Sequence, residues 1–230
     1  MDNLKDIEKT ELKGEQKKKL KILITAGPTR EYLDPVRFIS NFSSGETGVK
    51  IADEAYQRGY DVELIFGPGT AIVPEYIKTT RIVSAAELLQ AALEKIKDVD
   101  VYISAAAVAD YSPTKVDQKI ESGKEELIVK LYPNPKIIKE VFKHSKKDSI
   151  FVAFKLNYNL TEEELIKKAT DSYGRIAKVL VVNDLKNIDK NKHSAIIISK
   201  GKIFSRVDNN KDLALELFNC LENQFDHSTI

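Results

Sequence analysis

The chain has 230 residues, 42% of them hydrophobic, which is enough to bury a substantial core in one domain. Its 36 Lys plus Arg nearly cancel 35 Asp plus Glu, so there is no global basic field and the balance argues against a nucleic-acid partner. A single cysteine, Cys220, leaves no internal disulfide or thiolate metal cage, and no run approaches the roughly 20 apolar residues of a membrane span or the core of a signal peptide, so the expectation is a soluble cytoplasmic protein with no membrane partner.

Residues 1–19 are dominated by Lys, Glu and Asp and read as a charged flexible tail or linker ahead of one domain over 20–230. Lys21-Ile-Leu-Ile-Thr-Ala26 is an apolar strand that runs into a Gly27-Pro28 turn. After an Asp34-Pro35 loop, Ser43-Ser44-Gly45 opens a helix with Val49, Ala52, Ala55 and Tyr56 at helical spacing. Strands follow over 61–66 and 77–83, and Ser84 caps a helix over 85–97 with Glu87 placed as in a capping box. The strand 100–104 delivers Ala105-Ala-Ala-Val-Ala-Asp110 at its carboxyl end, where open α/β sheets place ligands. Residues 112–125 read as a loop or flap, 126–132 as a strand, and Pro135 starts a helix to about His144. A strand over 150–155, a helix capped by Thr161 and reaching Tyr173, and a strand over 179–182 come next. A hairpin of strands 195–199 and 202–207 and a helix over 213–225 close the chain. This alternation predicts an α/β, Rossmann-like fold: a mainly parallel sheet flanked by helices, with a C-terminal β-hairpin and helix.

The segment from Lys21 to Gly45 carries the most chemistry. A strand-loop-helix unit presents unpaired backbone N–H groups and the positive end of a helix dipole to an anion, and Gly27, Ser43, Ser44 and Gly45 let it come close. The loop is much longer than the G-x-G-x-x-G turn of a dinucleotide-binding fold.

Gly27-Pro-Thr-Arg30, Asp34-Pro-Val-Arg37, Ile39-Ser-Asn41 and Ser43-Ser-Gly45, followed by Ser104-Ala-Ala-Ala-Val-Ala-Asp-Tyr111, resemble the signature of the phosphopantothenoylcysteine synthetase (phosphopantothenate-cysteine ligase) family of coenzyme A biosynthesis. The resemblance extends from about Lys19 to the C-terminal helix. It implies ligation of 4′-phosphopantothenate to cysteine at the expense of CTP, with ATP as the alternative, through an acyl-nucleotide, expected to be an acyl-cytidylate that yields CMP and pyrophosphate, with Mg²⁺ brought in by the nucleotide. Family members are often fused to a flavin-dependent decarboxylase domain, so such a partner or fused domain is implied, while no flavin is expected on this chain.

Carried over residue by residue, the resemblance makes Asn41 and Lys119 the catalytic candidates. Asn41 would contact the pantothenoyl part and steady the acyl intermediate, and Lys119 would meet the triphosphate. Arg37 would reach the substrate phosphate bound by the other subunit of a homodimer, its planar guanidinium offering paired donors. Ala106, Ala107 and Asp110 join nucleotide and pantothenate sites. Gly27, Ser43, Ser44, Gly45, Ser104, Pro135, Lys136, Ile137, Ile138, Phe154, Lys168 and Arg175 complete the nucleotide set, with Lys178 an alternative to Arg175. The chain departs from the family at Lys119-Ile-Glu-Ser, where two lysines are lost and Lys124 is the nearest substitute, and at Lys136, which replaces an acid. Phe154-Lys-Leu-Asn157 is closer to the eukaryotic branch, leaving CTP or ATP open.

His144, His193 and His227 lack ligand spacing, so no metal cage is expected. Cys220 sits among Leu217 and Leu221 as a buried thiol. Two rival functions remain: an NAD(P)-dependent short-chain reductase, from Tyr111-x-x-x-Lys115 and Tyr132-x-x-x-Lys136, and a non-catalytic nucleotide- or flavin-binding regulator.

Overall fold

A computed structural model of the chain describes residues 19–123, 125–188 and 192–225. Residues 1–18 of the expected tail, and Lys124, lie outside the described residues. Strand β1 (Lys21–Ala26) is buried at every position after Lys21, as a central strand covered on both faces must be. Where the sequence reads as loop, β2 (Arg30–Tyr32) and β3 (Phe38–Ser40) pair antiparallel. Three-residue strands carry too little periodicity to be legible.

Helix α1 (Glu46–Gln57) buries Val49, Ile51, Ala52 and Ala55, and β4 (Asp61–Phe66) and β5 (Lys78–Arg81) follow. Helix α2 (Ala85–Lys95) begins as expected, with the Ser84 hydroxyl accepting from the Glu87 N–H, and a 3-10 turn leads into β6 (Val101–Ser104). The strand expected over 126–132 is a correction: only β8 (Leu131–Pro133) forms, paired with β7 (Tyr111–Pro113) as a separate two-stranded ribbon. Leu127 and Ile128, part of the short apolar run Leu127-Ile-Val129, are exposed, and no described strand pairs with them. Helix α3 (Ile137–His144) starts two residues after Pro135, with Lys136 at its N-cap.

β9 (Ile150–Asn157) leads to α4 (Glu162–Tyr173), whose capping box joins Thr161 and Glu164. β10 (Val179–Asp184), the hairpin β11 (Ala195–Ser199) and β12 (Lys202–Val207), and α5 (Asn210–Phe225) complete the chain. The main sheet has eight strands in the order β12-β11-β10-β9-β6-β1-β4-β5, parallel except at the β11–β12 end. The expected Rossmann-like α/β fold with its closing hairpin and helix is therefore present.

One face of the sheet packs Ile22, Ile24, Leu64 and Phe66 against α1 and the Leu213, Leu217, Phe218 and Leu221 stripe of α5. Cys220 is buried in this layer, where desolvation pushes its thiol up, as fits a structural residue. The other face packs Leu23, Ile65, Tyr102 and Phe151 against α2, α3 and α4. Each fully buried Leu, Ile or Phe contributes about 1.5–3 kcal/mol, so the two layers fix the strand ends from which the site is built.

Candidate functional site

The two sequence motifs are joined by backbone hydrogen bonds at the carboxyl ends of β1 and β6. Ala105 N–H donates to Thr25 O at 3.1 Å, Ala107 N–H to Gly27 O at 2.9 Å, and Thr29 N–H to Ala107 O at 3.3 Å. Thr29 is fully buried, and its hydroxyl accepts from Ala109 N–H at 3.0 Å. Asn41 is bound into the same seam, its Nδ2 donating to Val108 O at 3.0 Å and Ala107 O at 3.4 Å.

Above this seam opens a cavity of about 670 Å³, lined by Ser43, Ser44, Gly45, Ala105, Ala106, Ala107 and Phe154. Gly45 caps α1 at φ 83° without a side-chain cap; the Glu46 N–H donates to Ser44 Oγ at 3.2 Å, while the Thr47 and Gly48 N–H groups have no partner among the described residues and can meet an anion. The glycine is demanded by space as well as by φ, because a Cβ there would lie 2.6 Å from the Phe66 ring. The opposite wall holds Asn183, Lys192, His193, Asn210 and Lys211. Asn210 ties α5 to α1 by accepting from Thr47 Oγ1 at 2.9 Å. Burial lowers the pKa of His193, opposed by the Glu46 carboxylate. Among the described residues, Glu46 is the one carboxylate side chain on this lining.

A second region projects beside the cavity, made of the β2–β3 hairpin, the segment 112–123 and the β7–β8 ribbon. Asp34, with no exposed surface, is its knot. Its Oδ1 accepts from Val36 N–H and Arg37 N–H, both at 2.7 Å, and its Oδ2 from Ile120 N–H at 3.0 Å and from Arg37 Nη1. Burial alone would raise its pKa; those backbone donors and the Arg37 guanidinium prevail and bring the carboxyl down to about 2. Asp110 and Lys136, both exposed, form an ion pair at 2.5 Å. Asn134 fastens the ribbon by donating to Ala109 O at 2.9 Å and accepting from Ser112 Oγ at 2.8 Å. Val36, Phe38, Tyr111, Leu131 and Tyr132 leave this region with an exposed apolar surface.

A family described as the DNA/pantothenate metabolism flavoprotein C-terminal domain matches residues 17–223. The chain belongs to this family. The resemblance read from the two motifs is thereby borne out. The coenzyme A biosynthesis bifunctional protein CoaBC of Methanocaldococcus jannaschii is 40% identical over 166 residues, covering 72% of this chain and 40% of that protein. The chain thus matches less than half the length of this curated relative. The crystal structure of a DNA/pantothenate metabolism flavoprotein from Streptococcus pneumoniae superposes with a TM-score of 0.81 at 29% identity, covering 89% of this chain and 99% of that one. That of the C-terminal domain of a CoaBC protein gives 0.73 at 30% identity, covering 90% and 96%.

Within the frame of this family, the residues singled out from the sequence fall into three groups. Ser43, Ser44, Gly45, Ala106, Ala107 and Phe154 line the cavity, while Gly27, Ser104 and Asn41 build its floor and rim. Arg37, Asp110, Lys119 and Lys136 lie together on the projecting edge and do not line the cavity. The remaining positions are apart. Pro135 lines a separate groove of about 730 Å³ with Leu89 and Leu93 of α2, and the Ile137 and Ile138 side chains are buried in the core. Lys168 is exposed on α4. Arg175 and Lys178 precede β10, whose first residue pairs with Val152 near the start of β9, at the sheet edge away from the cavity.

The sequence reading missed Thr29, Asp34, His193 and Asn210. Asp34 and Thr29 lay inside the quoted motifs and were legible as polar residues in a run that must approach the core. His193 and Asn210 join the site only through the sheet order. Tyr111 lies in β7 and Tyr132 in β8, so neither Tyr-x-x-x-Lys pair shares the helical turn that a short-chain reductase requires. Among the described residues no helix is long and apolar enough to cross a membrane, and no group of three His, Cys, Asp or Glu is placed to hold a metal ion.

Proposed function

We propose that the protein joins 4′-phosphopantothenate to cysteine using a nucleoside triphosphate, CTP or ATP, in coenzyme A biosynthesis. The observation that carries this reading is the seam that brings Asn41, Ser43–Gly45 and Ala105–Ala107 to one cavity at the carboxyl ends of β1 and β6. The two CoaBC relatives, named for coenzyme A biosynthesis, support it.

The substrate carboxylate attacks the α-phosphorus, pyrophosphate leaves, and an acyl-nucleotide remains. The cysteine amine then attacks the acyl carbon, loses a proton, and expels the nucleoside monophosphate. Donors at the first turn of α1 take up phosphate charge, and small Ala106 and Ala107 allow the acyl group to approach the main chain. Asn41 already donates through Nδ2, which leaves its side-chain carbonyl oxygen as an acceptor for the substrate. Phe154, with Leu156, gives the base an apolar wall. The nucleotide's Mg²⁺ would polarise its phosphates, and among the described residues the single lining carboxylate, Glu46, fits an ion held mainly by phosphate oxygens and water.

In this reading the active form is a homodimer. The exposed Val36, Phe38, Leu131 and Tyr132 form the covered surface, and Arg37 serves the neighbouring site. Arg37 spends Nη1 on Asp34 and Ile120 O, while Nε and Nη2 remain for a phosphate. A phosphopantothenoylcysteine decarboxylase, as partner or fused domain, would act on the product.

Pyrophosphate release measured with phosphopantothenate, cysteine and either CTP or ATP tests the reading. Turnover should require all three substrates, and the preferred nucleotide identifies the base. Turnover indifferent to cysteine would overturn the ligase assignment.

A further inference from the structure

Asp34 does more than its turn requires. A turn-forming aspartate needs one oxygen to accept from main-chain N–H groups just ahead of it, and Oδ1 meets that need with Val36 and Arg37. Oδ2 is directed elsewhere: it accepts from Ile120 N–H, 86 residues away, and from the Arg37 guanidinium. Arg37 Nη1 closes the triangle by donating to Ile120 O at 3.0 Å. A further link, Val116 N–H to Leu33 O at 3.0 Å, fastens the same segment on the other side of Lys119. Lys119 is itself exposed, and among the described residues its segment is held by this two-point backbone attachment.

We propose that Asp34 is a positioning residue that sets two anion-binding cations with one carboxylate. It aims the Arg37 guanidinium at a phosphate monoester and anchors the peptide beside Lys119 toward the nucleotide's polyphosphate. The two binding events are coupled through it. Rested on the ligase reading, in which Arg37 serves the neighbouring site, this makes the phosphate bound there and the nucleotide beside Lys119 tighten one another across the dimer, since each stabilises the same docked arrangement of hairpin and segment. The carboxyl is ionised throughout the working pH range, so the coupling does not titrate there.

Asp34→Asn tests it. The variant keeps the turn through Oδ1 but sets an amide N–H₂ against two donors in place of Oδ2. Hydrogen exchange of the amides over 116–120 should quicken by about tenfold or more, the loss expected for one charge-assisted hydrogen bond, with the main sheet unchanged. In the ligase assay, KM should rise for both phosphopantothenate and nucleotide, and Asp34→Asn combined with Lys119→Ala should raise the nucleotide KM by less than the product of the single effects. Should Asp34→Asn not fold, Ile120→Pro deletes the donor while leaving Asp34 in place, and should quicken exchange over 116–119 in the same way. Unchanged exchange in the folded variant, or KM effects that simply multiply, would overturn the role given to Asp34. A wild-type protein inactive as a ligase would sink the functional reading instead, and the exchange result would still judge the anchoring.

Discussion

The cavity floor and the projecting edge beside it are built on different principles. The floor is main chain: Gly27, Gly45 and Gly67 bring backbones together, and hydrogen bonds between residues 25–29 and 105–109 fix their separation. The edge is side chain: Arg37, Asp110, Lys119 and Lys136 sit on turns and loops flanking short ribbons outside the main sheet, aligned by ion pairs and by the buried carboxylate of Asp34. Backbone donors are cheap to preorganise once close packing has placed them. Long cationic side chains need a partner to hold them. The floor should therefore fail through sterics, and the edge through lost charge.

The largest expected effect is on the floor. A Cβ at Gly67 would stand 1.9 Å from Pro28 O, a backbone atom that cannot swing away. Gly67→Ala should lower unfolding stability by about 3 kcal/mol, at the upper end of overpacking costs. A denaturation midpoint that does not move would show the crossing of these backbones to be loose, and with it the contrast drawn here. On the edge, Lys119→Ala should leave stability unchanged, because the side chain is exposed, and cut turnover about 100-fold, the usual cost of removing one donor to developing charge. Mixing that variant with Arg37→Ala should restore activity in heterodimers if each site draws on two chains.

Acid separates the two regions more gently. The Asp34 carboxyl is depressed from its ordinary 3.8 to about 2, so its contribution is complete above pH ~4 and is lost as the pH falls through about 2. Within that window the amides of 116–120 should lose exchange protection before those of β1 and β6. Simultaneous loss would mean that the edge unfolds only with the sheet.

How much of this was legible follows the same division. β1 is a nearly continuous apolar run and β4 an apolar run interrupted by Glu63, and the Ser84 and Thr161 caps mark α2 and α4, so the sheet and its helices read directly from the pattern. The floor was legible through the family resemblance of its two motifs, since three alanines by themselves more often mean tight packing. The edge was not. β2, β3, β7 and β8 are three residues each, and what holds them is a carboxylate bonded across 86 positions, which no local periodicity encodes. His193 was dismissed as a metal ligand and then found on the far cavity wall, because the antiparallel turn from β10 to β11 returns the chain to the site. The nucleotide role expected for Arg175 meets a topological obstacle, since α4 carries it away from the carboxyl edge before β10 begins.

The smallest effect belongs to the seam between the two regions. Ser40, the last residue of β3, donates its hydroxyl to Thr29 O at 2.8 Å and so fastens the edge to the floor one residue before Asn41. Ser40→Ala should cost about 1 kcal/mol, the lower end of the penalty for leaving a buried acceptor unpaired, because the carbonyl belongs to the fully buried Thr29. Its kinetic signature should exceed that modest figure. If the seam sets Asn41, the variant should lower kcat at unchanged nucleotide KM, since the α1 donors that meet the phosphates are untouched. A rise in nucleotide KM with kcat intact would mean that floor and edge move as one body, and that their different construction carries no separate functional weight.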